Sequence, residues 1–158
     1  HWRLTDAAMK KLAAFAVLSL AIALPAFAQG PTEPLSIKSG DKIHAFTVEI
    51  ADTPEEIAAG LSGRASVAAG QGLLLDMRKA PDGVLLNLRG VQVNLDLLYV
   101  GADGTVVAIV QNARAGSLRP LAPGLRSAAV IEIAGGQAAA LGLKPGDKVT
   151  HKAFGNAG

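Results

Sequence analysis

The chain has 158 residues, half of them hydrophobic, with 15 Lys and Arg against 13 Asp and Glu and no cysteine. Lack of cysteine excludes disulfide staples, thiolate metal sites and a cysteine nucleophile, and the near balance of charge leaves no basic run able to neutralise a row of phosphates. Aromatic residues make up only 4% of the chain, too few to build stacking platforms for bases or sugar rings.

Residues 9–30, MKKLAAFAVLSLAIALPAFAQG, place Lys10 and Lys11 before an apolar run from Leu12 to Leu24 and then present Ala26-Phe27-Ala28. A charged start, an apolar stretch of roughly 7–15 residues and an A-x-A site are the three parts of a secretory signal peptide. A bilayer-spanning helix needs about 20 apolar residues, and Pro25 ends this run earlier. The sequence therefore predicts export to the periplasm or beyond, cleavage after Ala28, and no stable membrane span once the leader is removed. The residues before Met9 do not fit an export signal and read as an upstream extension. Without residues 1–28, which hold Arg3, Lys10, Lys11 and Asp6, 12 basic and 12 acidic residues remain. Nucleic acid is accordingly not an expected partner.

Residues 29–36, QGPTEPLS, have the composition of a flexible tether; residues 37–152 are expected to form one domain and residues 153–158 a tail. KIHAFTVEIA alternates, with His44, Phe46, Val48 and Ile50 on one parity, and predicts a strand. DTPEEIAAGLSGR predicts a helix: Thr53 is a suitable N-cap, Pro54 fits the first helical position, Glu56 completes a capping box, and Gly63 is a suitable stop. Ile57 and Leu61, four apart, give it a buried stripe.

Four further β-rich runs follow, GLLLDM, GVLLNL, NLDLLYV and GTVVAIVQN, at spacings that suggest an antiparallel sheet curling toward a barrel. Between the second and third, alternation changes phase at Gly90, which predicts a bulge or tight bend. Asp103-Gly104 predicts a type I′ hairpin turn. NARAGSLRPLAPGLRS, carrying Arg114, Arg119 and Arg126, reads as a long surface loop. AAVIEIA is a strand, GGQAAALG a short helix ended by Gly142, and LKPGDKVTHK a turn opening a last strand. The fold class is thus a small α+β domain with a strongly bent, mostly antiparallel, barrel-like sheet and two short helices.

VEIADTPEEIAAGLSGR, LDLLYVGADGTVVAIVQNA and AVIEIAGGQAAALGLKPGDKV, in that order and spacing, resemble the bacterial and archaeal family of domain of unknown function 192. The resemblance covers roughly residues 46–150. It implies a small α+β domain with a bent, barrel-like sheet, often exported, and implies no established activity, substrate or cofactor. Arg64, Asp96, Asn112 and Glu132 match the family pattern, and Arg89 keeps a cation where the family has lysine. The family's Gly-Leu-Met-Phe-Arg is GLSGR here, and its Trp-Met-Lys-Asn-Thr is NLRGV, so Asn87 stands where the tryptophan would be.

Among candidate chemical groups, Asp96 lies between two leucines, and a buried acid must find partners or shift its pKa. Arg64 or Arg89 is the expected partner. Polar residues Arg64, Arg89, Asn94, Asp96 and Asn112 are therefore expected to form a cleft that binds a small ligand or peptide without catalysis. Two alternatives stand beside this: an envelope hydrolase with Asp96 and Glu132 as acid and base, and a purely structural module in which Asp96 holds a turn. His44 and His151 lack metal-ligand spacing, and Ser62, Ser66, Ser117 and Ser127 lack a nucleophile elbow, so neither metal nor cofactor is expected. The segment GGQAAALGLKPGDKV also has a local likeness to PDZ domains, without their carboxylate-binding loop.

Overall fold

A computed structural model describes residues 30–80, 82, 84–122 and 125–157; the expected signal peptide lies outside them. Seven strands, β1 (Thr32–Ser39), β2 (Lys42–Ala51), β3 (Gln71–Asp76), β4 (Leu95–Val100), β5 (Val106–Ala113), β6 (Ala129–Ala134) and β7 (Lys148–Thr150), form one sheet in the order β5-β4-β6-β3-β2-β1-β7. Every pairing is antiparallel except β2 with β3. That parallel pair requires a crossover, which the helix α1 (Pro54–Ala59) supplies. The sheet curls until its edges meet at one end: Thr105 bridges Lys148, and the Val149 N–H donates to the Gly104 carbonyl at 2.7 Å.

Two apolar layers follow from this curl. Inside the half-barrel pack Ile37, Val48, Leu74, Leu98, Ile131 and Val149. Outside it, Leu73, Leu75, Leu97 and Tyr99 pack under Ile57 and Leu61 of the α1 segment and under Leu88 and Val91. Strand β4 is buried at all six residues, which explains why LDLLYV reads as an almost unbroken apolar run rather than an alternating one. The second helix, α2 (Gln137–Leu141), closes the inner layer with Ala138 and Leu141 and ends at Gly142 in the left-handed region, as expected.

Local signals hold closely in places. Strand β2 has the expected bounds, and the Thr53 hydroxyl accepts the Glu56 N–H at 3.2 Å. Helix α1 stops at Gly60, a turn before the expected Gly63. Asp103-Gly104 does form a hairpin, but only Gly104 takes a positive φ, so the turn is not type I′; a single left-handed glycine closes it.

Three expectations are corrected. Residues 32–36 are not a tether but the start of β1, where Leu35 and Ile37 alternate into the core. Pro34 is accommodated because β7 pairs only with Ser36–Lys38, leaving that part of β1 an open edge. The tail beginning at 153 is not free either, since Phe154 is 8% exposed and joins the inner layer. GVLLNL forms no strand: β3, β4 and β6 already have neighbours on both sides, so residues 84–88 lie across the outer face. There the Leu88 N–H donates to the Ser117 carbonyl at 2.9 Å and the Leu121 N–H to the Leu86 carbonyl at 2.8 Å.

Gly90 makes a tight turn with φ of 72°, and the Gly63 N–H donates to its carbonyl at 2.9 Å. A Cβ at this position would lie 2.3 Å from the Ser62 hydroxyl oxygen. Gly90→Ala is expected to cost about 1–3 kcal/mol through the strained φ and the overlap together, read as a lowered urea midpoint. An unchanged midpoint would mean that the turn and the α1 segment do not pack as described.

Candidate functional site

Asp96 is fully buried, and both of its oxygens are occupied. Its Oδ1 accepts the N–H of Asn112 at 2.8 Å and of Gly136 at 3.1 Å, and its Oδ2 accepts the N–H of Ala138 at 2.8 Å. Two of those donors belong to the start of α2, which has no side-chain cap of its own. The third is presented by a bulge in β5, where Asn112 adopts φ of 50° opposite Asp96. Asn94 belongs to the same cluster: its carbonyl accepts the Gly135 N–H and its side chain accepts the Ala115 N–H, both at 2.9 Å. Asn94, Asp96 and Asn112 are thus brought together, around backbone donors rather than an open cleft.

Arg64 and Arg89 are not the partners of Asp96. Arg64 grips Glu49 with both terminal nitrogens. Arg89 is exposed on the turn at Gly90, where its N–H donates to the Asn87 side chain at 3.0 Å.

Glu132 points the other way. Register partners share a sheet face; Asp96 is opposite Ile133, an inner-layer residue, whereas Glu132 is opposite Leu97 and Leu73 of the outer layer. The expected acid–base pairing of Asp96 with Glu132 is therefore corrected: the two carboxyls face opposite sides of the sheet. Glu132 is 4% exposed and forms no hydrogen bond or ion pair among the described residues. Burial pushes its carboxyl up to about 7. Tyr99, on the same face, is pushed up to about 12 by burial and by the charge of Glu132, and its hydroxyl donates to the Leu121 carbonyl at 3.2 Å.

An opening of about 630 Å³ lies over Tyr99 and Val130. Its walls are Met77, Ala80, Val84–Leu86, Leu121, Ala122 and Leu125, with Asp82, Arg126 and Ser127 as its polar lining. Sequence reading missed it because its walls come from two segments without periodicity; the only signal was the leucines of the Pro- and Gly-rich loop. A smaller cleft of about 240 Å³ is lined by Glu33, Asp52, Asp76, His151 and Lys152. All of these but Asp52 are engaged: His151 Nδ1 accepts the Ala153 N–H at 3.0 Å, leaving Nε2 to donate to Glu33 at 2.9 Å. Glu33, hydrogen-bonded by Lys152 and His151, is held below the usual carboxylate range. Among the described residues no group of three or more His, Asp or Glu is placed to hold a metal ion.

A seven-stranded half-barrel, plugged by a short helix on a buried aspartate and overlaid outside by a second apolar layer, defines a small α+β domain. Residues 34–151 match the family of domain of unknown function 192 (DUF192, Uncharacterized ACR), and the chain belongs to that family. Two solved structures share the fold. A protein of unknown function from Novosphingobium aromaticivorans DSM 12444 is 33% identical, with a TM-score of 0.71 over 80% of this chain and 96% of its own. A candidate transcription regulator from Sinorhizobium meliloti 1021 is 27% identical, with a TM-score of 0.72 over 78% of this chain and 95% of its own. No curated protein matches the chain.

Proposed function

We propose that this protein is a non-enzymatic binding module of the cell envelope that takes a small ligand or peptide in the cleft over Tyr99 and Val130. The observation that carries the reading is the cleft itself: an open cavity of about 630 Å³ whose lining is at least as polar as it is apolar, with Asp82, Arg126 and Ser127 among aliphatic side chains, and whose volume lies in the range of ligand pockets. The leader MKKLAAFAVLSLAIALPAFA supports the envelope location. Among the described residues no helix is long and apolar enough to cross a membrane. The hydrolase alternative loses its support, because its two carboxyls lie on opposite faces. The regulator description of the Sinorhizobium relative is not carried over, since the chain without its leader has as many acidic as basic residues.

The test is a thermal-shift screen of short apolar peptides and small envelope metabolites, repeated on Ala80→Phe, which fills the cleft wall. A ligand at 100 times its Kd stabilises by about 2.7 kcal/mol, and the gain is expected to vanish in Ala80→Phe. No stabilising compound, or one that stabilises Ala80→Phe equally, would remove the cleft from the function.

A further inference from the structure

Two neighbouring segments of the outer layer divide their side chains in the same way. In residues 84–94, 114–122 and 125–127, Leu86, Leu88, Val91 and Leu121 turn inward onto the sheet. Leu85, Leu118 and Leu125 turn outward, 54%, 59% and 38% exposed. Backbone hydrogen bonds from Leu88 to Ser117 and from Leu121 to Leu86 tie the segments side by side. Isolated exposed leucines need no explanation, whereas several on one face mark an interaction surface.

Charge separates this face from the rest of the protein. Arg89, Arg114, Arg119 and Arg126 lie in these two segments, which contain no Asp or Glu. All four arginines are exposed and none has a carboxylate partner among the described residues. Elsewhere, Arg64, Arg78, Lys144, Lys148 and Lys152 are each matched to an acid, while Lys38, Lys42 and Lys79 stand outside those pairs without a leucine-bearing loop beside them in sequence. Outward leucines among unneutralised arginines on an anchored double loop are what an anionic lipid surface requires: apolar side chains enter the headgroup boundary while cations meet the phosphates.

We infer that residues 84–94, 114–122 and 125–127 form a docking surface for an anionic phospholipid bilayer. This goes beyond the cleft reading: Leu85, Leu125 and Arg126 also line the cleft, whereas Leu118, Arg89, Arg114 and Arg119 lie outside it and carry the test. A bilayer fits better than an acidic protein because single arginines stand beside exposed leucines along the chain, Leu118 next to Arg119 and Leu125 next to Arg126. Each of these cations thus comes with an apolar side chain able to enter the headgroup boundary. Arginine attraction is long-ranged and salt-sensitive, so docking is reversible.

The test is co-sedimentation of the protein recovered from the periplasm, its N-terminus read by mass spectrometry, with phosphatidylcholine vesicles with and without phosphatidylglycerol. Binding is expected only with phosphatidylglycerol, weakening as salt rises. The variant R89Q/R114Q/R119Q, which leaves the cleft untouched, is expected to lose affinity roughly 100-fold, at about fivefold per arginine. A second variant, L118S, changes an exposed position outside the cleft and is expected to weaken binding while keeping the wild-type thermal midpoint. Equal binding to both vesicle types, or binding unaltered in both variants, would overturn the inference. So would stabilisation by soluble glycerol phosphate without vesicle binding, which would point to a free anion instead.

Discussion

Asp96→Ala is expected to destabilise the protein by about 3–5 kcal/mol, a large share of the roughly 5–15 kcal/mol that holds a domain together. The side chain accepts three backbone N–H groups in a fully buried position. Its removal strands donors that cost about 1–3 kcal/mol each when left without a partner. The damage is expected to be local in origin, because two of the donors open α2 and the third belongs to the β5 bulge. Loss of the carboxylate thus releases the plug of the half-barrel. Asp96→Asn tests the same network more finely. Its carbonyl oxygen can keep the two bonds made at Oδ1, but its amide places a donor against the Ala138 N–H. Urea unfolding followed by circular dichroism should therefore rank wild type above Asn and Asn above Ala. Alanine at wild-type stability would mean that these three bonds do not hold the helix in place.

The same network shows what the sequence could and could not reveal. Asp96 was recognisable as an acid in a buried strand, since it interrupts LDLLYV. Its partners were not recognisable, because backbone N–H groups carry no residue signature and the bulge that aims one of them depends on pairing with β4. An arginine was the only partner the sequence could offer, and Arg64 is drawn instead to Glu49 by the crossover that lays α1 over β2 and β3. Strand β2 and the start of α1 were legible because alternation and a capping box are local. GVLLNL has equally good β character but lies across the outer face, where it joins no strand of the sheet, and strand formation depends on a neighbour. The parity change at Gly90 did mark a bend, while the polar row on either side of it separates into a helix-capping cluster and an arginine-bearing loop.

Glu132→Gln is expected to raise stability at alkaline pH and leave it nearly unchanged at pH 4. The carboxyl lies in the outer layer against Gly60, whose Cβ would sit 3.1 Å from its Oε1, and it has no hydrogen-bonding or charged partner among the described residues. Its folded pKa is raised to about 7 from an ordinary 4.5. Folding therefore binds a proton between those values, and stability falls as pH rises through that window. Below pH 4.5 both states are protonated and the group is neutral in its effect. Above pH 7 the folded protein holds an uncompensated buried charge, at a cost on the order of 3 kcal/mol from the width of the shift. Glutamine has nearly the same shape and cannot ionise, so the difference in unfolding free energy between variant and wild type should grow from near zero at pH 4 to a plateau above pH 7. The ionisable groups away from position 132 are common to both proteins and cancel in that difference. Parallel pH profiles would place the Glu132 titration outside the folding equilibrium. The expected divergence, by contrast, would identify Glu132 as an acid that the half-barrel tolerates only while it keeps its proton.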